Sequence, residues 1–237
     1  ILKAFVKRNE IKIYYHFLEI FINLKDFINL SYLFLRNFFS DFYFSFYNSK
    51  HFFKNKKFTR LIYSDNNKQW IQKKGKVYNR YLGINITNTS SKYLIIVSSL
   101  RRNSLALKNP FSGLKEWNAI RHNNVLMLES ALSPLDIIKI YLFNHSKLKY
   151  DKFKLLNNLK KFTLSSKSSH HLDKIKFIEL PKQMVIEKAL NKIVKSFPKL
   201  NTALIPIHEL VEGRTVINTL NSNNINTFGL QHGPLGK

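Results

Sequence analysis

From about Lys12 to Asn48 the chain is apolar and aromatic. Tyr14, Phe17, Leu18, Phe21, Leu24, Ile28, Tyr32, Leu35 and Phe39 recur at three- and four-residue steps, which predicts one face of a helix, or of two helices in succession. The longest uncharged run there, Phe27 to Leu35, is well short of the roughly 20 residues a membrane span needs, and Lys25, Asp26, Arg36 and Asp41 interrupt the stretch. Two readings stay open: helices packed on a sheet, or an interfacial helix with aromatics at the acyl boundary and cations toward anionic headgroups.

After Lys57 the texture changes. Leu61-Ile62-Tyr63-Ser64 reads as a short strand, and Asp65 to Gly83 as a loop and helix carrying Trp70. Tyr93 to Ser99 is a continuous apolar run rich in β-branched residues, the pattern of a strand buried on both faces of a parallel sheet. A polar segment from Arg101 to Asn124 precedes a strand at Val125-Leu126-Met127-Leu128. Ser133 then caps a helix with Pro134 at its first position and Asp136 in its first turn; Ile137, Ile138, Tyr141 and Leu142 supply its expected buried face. A helix over Tyr150 to Phe162 and a loop over Ser165 to His171 follow, with His170-His171 best read as a solvated pair.

The final third is the most regular. Pro181 introduces a helix with Val185, Ile186, Ala189, Leu190, Ile193, Val194 and Phe197 on one stripe, ended by Pro198. Thr202 to Ile207 is a strand, Glu209 to Leu220 a helix, Asn221 to Asn224 a turn, and Ile225 to Leu230 a strand. Strand, helix and strand make a βαβ unit with parallel strands. Buried strands alternating with amphipathic helices predict an α/β fold: a Rossmann-like parallel sheet with flanking helices over 58–237, preceded by an aromatic and basic helical segment over 1–57 that is either separate or an insertion of that domain.

Charge changes this picture. The chain holds 39 basic against 14 acidic residues, a net charge of +25. That balance favours polyanions, whether nucleic acid, anionic lipid or phosphorylated substrates; coding bias toward Lys and Asn competes as its cause. The run Lys50-His51-Phe52-Phe53-Lys54-Asn55-Lys56-Lys57 interleaves cations and rings, which suits a membrane surface, a single strand, or simply a solvated loop. No cysteine is present, so disulfides and thiolate metal sites are excluded. Neither a Gly-rich phosphate loop nor a His-rich metal pattern occurs in the chain. The start at Ile1 and the end just past a strand give the expectation of a fragment.

In open α/β sheets, ligands bind outside the carboxyl ends of the strands. Two segments emerge there. In the first, Glu209 and Glu212 share one helical turn at a helix N-terminus, where acidic residues belong in any case, and Arg214 can pair with either. In the second, Gln231-His232-Gly233-Pro234 forms a stiff turn past a buried strand. His232 there could be a general base, could orient a phosphate, or could only cap the strand.

The pattern Ala203-Leu204-Ile205-Pro206, Glu209-Leu210-Val211-Glu212-Gly213-Arg214 and Phe228-Gly229-Leu230-Gln231-His232-Gly233 resembles bacterial surface-carbohydrate (O-antigen and capsule) glycosyltransferases of the GT-B type. Tyr78-Asn79-Arg80-Tyr81-Leu82-Gly83 is a weaker point of similarity. The resemblance implies the acceptor-side Rossmann domain, truncated before the donor nucleotide-binding domain. It implies sugar transfer from a nucleotide-sugar donor to a lipid-linked glycan acceptor, with no bound cofactor or metal, at the anionic cytoplasmic face of the inner membrane. In the inverting case His232 or Glu209 would be the catalytic base; Glu212, Arg214, Gln231 and Gly233 would bind substrate. The alternatives from other classes are a nucleic-acid-binding basic protein, against which the lack of any recognisable module argues, and a non-catalytic peripheral membrane protein.

Overall fold

The computed structural model describes residues 24–25, 27–46, 58–65, 70–73, 76–79, 92–98, 124–143, 178–205 and 211–229. Five strands form one all-parallel sheet: β1 (Arg60–Asp65), β4 (Tyr93–Ser98), β5 (Val125–Met127), β6 (Thr202–Ile205) and β7 (Asn226–Gly229), in the order β5-β4-β1-β6-β7. Counted along the sheet's own strands this is the order 3-2-1-4-5 of a Rossmann-like α/β fold. The short apolar run Leu61-Ile62-Tyr63 is its central strand, flanked by β4 and β6.

Burial on both faces explains the sequence of β4. Leu94, Ile95, Ile96 and Val97 are all fully buried. Leu94 and Ile96 join Leu61, Tyr63, Leu126, Ala203 and Ile205 on one face. Ile95 and Val97 join Ile62, Val125 and Met127 on the other. Successive side chains point to opposite faces, so a strand covered on both must be apolar throughout. Each such side chain contributes about 1.5–3 kcal/mol of burial.

Between β1 and β4 lies a departure from the expected pattern. The stretch read as loop and helix is instead an antiparallel hairpin of β2 (Trp70–Lys73) and β3 (Lys76–Asn79). Its residues Trp70, Ile71, Val77 and Tyr78 are β-branched or aromatic, types that favour strands, and that preference outranks the helical reading.

Three helices lie on the first face. α2 (Pro134–Ile138) starts at Ser133, whose hydroxyl accepts from the Asp136 amide at 3.2 Å while the Asp136 carboxylate accepts from the Ser133 amide at 3.1 Å. This reciprocal cap satisfies two of the donors a helix start leaves open. The helix widens into a π turn over Lys139–Phe143, which buries Ile137, Ile140 and Tyr141 and leaves Leu142 exposed rather than inward as its spacing suggested. The wider turn shifts the register of the buried stripe.

α3 (Leu180–Ser196) buries Val185, Ile186, Ala189, Leu190 and Ile193, and Phe197 closes it against Phe58. α4 (Val211–Asn221) ends in a left-handed residue, Asn224, at φ 59°. The Ile225 amide donates to the Leu220 carbonyl and the Asn224 amide to the Asn221 carbonyl, each at 3.0 Å. That is a Schellman end, and its apolar partners Leu220 and Ile225 are both buried in the core. Asn223 adds a side-chain tie from this end to Asn191 of α3 at 2.8 Å.

The N-terminal helix α1 (27–45) does pack on the sheet, but through another face than its spacing suggested. Leu33 and Phe44 are buried. Phe34, Phe38 and Phe42 pack on the first core cluster, and Phe44 enters the second among Ile62, Ile95, Val97 and Met127. The regular stripe Leu24, Ile28, Leu35 and Phe39 faces outward. The segment is apolar on nearly every side, so periodicity cannot choose the inward face. Buried polar groups choose it: Arg36, Asn37 and Asp41 lie on the inner side, and Asp41 meets Tyr141. Among the described residues no helix is long and apolar enough to cross a membrane.

Candidate functional site

All five strands run the same way, so their last residues share one edge of the sheet. Strand order reverses between β1 and β6, and in open α/β sheets ligands bind outside the carboxyl ends of the strands at such a switch point. The ladder between them runs from Arg60↔Thr202 to Ile62↔Leu204, so Ser64 and Asp65 lie beyond its last pair toward that edge.

Two helix starts reach the same edge. α4 begins where β6 has ended, and α3 descends from the edge to feed β6. Their first turns meet in an ion pair, Lys182 Nζ to Glu212 Oε1 at 3.9 Å. Lys182 is 1% exposed and Glu212 28%. A cation in the first turn of a helix opposes the helix dipole, and burial adds a desolvation cost. The carboxylate of Glu212 offsets both. The pair can clamp α3 to α4, and its half-open carboxylate can accept hydrogen bonds from a hydroxylated ligand at this edge.

A second polar cluster lies at the ends of β4 and β5 and is closed to solvent. Ser98, the last residue of β4, donates to Glu129 Oε1 at 3.4 Å; Glu129 lies in the 3-10 turn Leu128–Ala131 that follows β5. Tyr141 donates to Asp41 Oδ2 at 2.6 Å. All four side chains are buried. Burial, the adjacent Asp41 carboxylate and the more distant Glu129 carboxylate push the Tyr141 phenol well above its ordinary value. Phe34 and Phe38 stand edge-on to the Tyr141 ring, both at 5.5 Å between centroids. A substrate cannot reach this cluster in the conformation described, which assigns it to holding α1 against the sheet.

Of the residues singled out in the sequence, Glu212 stands at the carboxyl edge with Lys182 as its ion-pair partner, and Arg214 is exposed on the same turn of α4. Gly213 between them is buried. Glu209, Gln231, His232 and Gly233 lie outside the described residues, as do the basic run Lys50 to Lys57, the helix expected over Tyr150 to Phe162 and the pair His170-His171. Lys182, Glu129 and the Asp41–Tyr141 bond are additions that the sequence reading does not contain. A signal for Lys182 exists: a lysine directly after Pro181, in a first turn where cations are disfavoured. None exists for Asp41 and Tyr141, which lie in separate segments of the chain.

Compared with protein-family models, with curated proteins and with solved structures, the chain matches none.

Proposed function

We propose that this chain is the acceptor-side portion of a glycosyltransferase that moves a sugar from a nucleotide-sugar to a lipid-linked surface glycan. The observation that supports this reading most is the βαβ unit β6-α4-β7 at the edge of a 3-2-1-4-5 parallel sheet. Its first connection carries Glu212 and Arg214, and the sequence continues from β7 into Gln231-His232-Gly233.

In this reading His232 or Glu209 takes the proton from an acceptor hydroxyl. The oxygen then attacks the anomeric carbon, and the bond to the nucleoside diphosphate breaks with its electron pair going to the leaving phosphate. Glu212, already facing the Lys182 ammonium, accepts hydrogen bonds from acceptor hydroxyls, while Arg214, Gln231 and the backbone at Gly233 position the acceptor.

The test is a thermal-shift panel of nucleotide-sugars on the whole protein that carries this chain, followed by radiolabelled transfer to isolated membranes. One nucleotide-sugar should raise the melting temperature and label lipid-linked material, and one of His232→Ala and Glu209→Ala, whichever removes the base, should abolish labelling without abolishing the shift. No shift with any nucleotide-sugar would sink the proposal. The net charge of +25 keeps nucleic-acid binding as the second reading, and it predicts instead tight binding to single-stranded RNA that falls steeply with salt.

A further inference from the structure

We propose that α1 seats its outward stripe in the interface of an anionic phospholipid bilayer, with the helix axis parallel to the surface. The stripe consists of Leu24 (54% exposed), Phe27 (66%), Ile28 (58%), Leu35 (49%), Phe39 (57%) and Phe46 (61%). Ile28, Leu35, Phe39 and Phe46 repeat at helical spacing over about five turns, so they line one side of the rod. Six large apolar side chains exposed on α1 and just past its two ends are of the kind that marks an interaction surface.

Charge selects the occupant. Among the described residues between 24 and 46, Asp41 and Arg36 are buried, and the exposed charge is the cation Lys25. The sequence directly after the helix holds Lys50, Lys54, Lys56 and Lys57, and the chain as a whole carries +25. An apolar stripe followed by a run of cations is the composition of a helix that lies in a headgroup layer, where cations near an anionic surface add to the attraction.

A second copy of the chain fits less well. Two chains that each carry a net charge of +25 repel one another. Nucleic acid fits less well too, because Leu24, Ile28 and Leu35 offer bases no ring to stack on.

The inference does not rest on the glycosyl-transfer reading, and its test needs no sugar donor. The full chain is mixed with phosphatidylcholine vesicles with and without phosphatidylglycerol, and binding is read by co-sedimentation. The chain should bind the phosphatidylglycerol vesicles, and Leu35→Ser with Phe39→Ser should weaken that binding about tenfold or more. Both sites are exposed, so the melting temperature should hold. In parallel, Phe39→Trp in a chain whose native tryptophans are removed by Trp70→Phe and Trp117→Phe should give a blue-shifted emission on those vesicles, quenched by brominated acyl chains; this reads depth even if the double variant folds poorly.

Binding that the double serine variant leaves unchanged would overturn the inference in favour of charge alone. So would a stripe-dependent dimer with no vesicle binding, stripe-dependent binding to RNA, or an emission from the Phe39→Trp variant that is already blue-shifted before vesicles are added. The last result would mean that another part of this chain covers the stripe.

Discussion

The Tyr141 hydroxyl donates to the Asp41 carboxylate at 2.6 Å across a hundred residues of sequence. The bond joins α1 to the π turn after α2, and both partners are buried. It decides which side of an almost uniformly apolar helix turns inward. A buried carboxylate has to keep its donors, so α1 is held in the one rotation that brings Asp41 to the phenol.

Tyr141→Phe should therefore destabilise the chain by about 1–3 kcal/mol, since it keeps the ring contacts and removes a donor from a buried acid. Urea denaturation checks the magnitude. The same variant carries a pH signature. The phenol of Tyr141 is raised well above 10.0 in the fold, so stability from its protonated form is complete below that ordinary value and is lost as pH climbs past it, where the unfolded chain ionises first. The gap between wild type and Tyr141→Phe should shrink in alkaline urea melts above about pH 10. A gap that holds constant there would contradict the assignment.

Asp136 should act at the opposite end of the pH scale. Burial works to raise its carboxyl, but Lys188 at 2.8 Å and the amide and hydroxyl of Ser133 outweigh it and lower it to about 2. Its charge then stabilises the fold above the ordinary value of 3.8, and that contribution is lost as pH falls through about 2. Asp136→Asn should cost about 1 kcal/mol at neutral pH, the range of one cap and two partly exposed ion pairs, to Lys188 and Lys192. Its deficit should disappear in melts near pH 2.

Much of this fold can be read from pattern, and the failures of pattern have physical causes. β4, α2, α3 and the βαβ unit announce themselves by periodicity and punctuation: an unbroken apolar run, Ser133-Pro134, Pro181, and the asparagines at 221–224. The central strand β1 is visible only as four residues, because a strand buried on both faces carries no alternation to set it apart from a piece of helix. The hairpin β2-β3 escapes the pattern because its strands are four residues each, too short for alternation to stand out. The candidate site divides the same way. Glu212 is legible from its place at a helix start, while its partner Lys182 sits a helix away, and no spacing rule links residues whose proximity is made by helix packing.

Asn224 offers a test of the helix end itself. Its φ of 59° lies in the left-handed region, where asparagine is tolerated and glycine is free of strain. Asn224→Gly should be neutral or mildly stabilising, whereas Asn224→Ala should cost roughly 1 kcal/mol and Asn224→Val more. Thermal melts of the three variants give the order. Equal losses in all three would mean that the asparagine side chain, and not the backbone angle, holds the turn.

The pair Lys182–Glu212 separates structure from function, because its two halves are buried unequally. Glu212→Gln leaves a nearly inaccessible ammonium facing an uncharged group, and should cost about 1–3 kcal/mol; the loss stays below that of a fully buried pair because Glu212 is partly open to water, which screens the interaction. Lys182→Met replaces the buried cation by an apolar chain of similar length, and the carboxylate left behind can hydrate, so stability should change little or rise. If the pair is only a clamp between α3 and α4, activity of the whole protein should follow these stabilities, with Lys182→Met close to wild type. If Glu212 binds acceptor hydroxyls while Lys182 holds it in place, both variants should raise the acceptor KM together although their melting temperatures move apart. Rescue of KM by Lys182→Arg but not by Lys182→Met would place the role in the charge opposite Glu212.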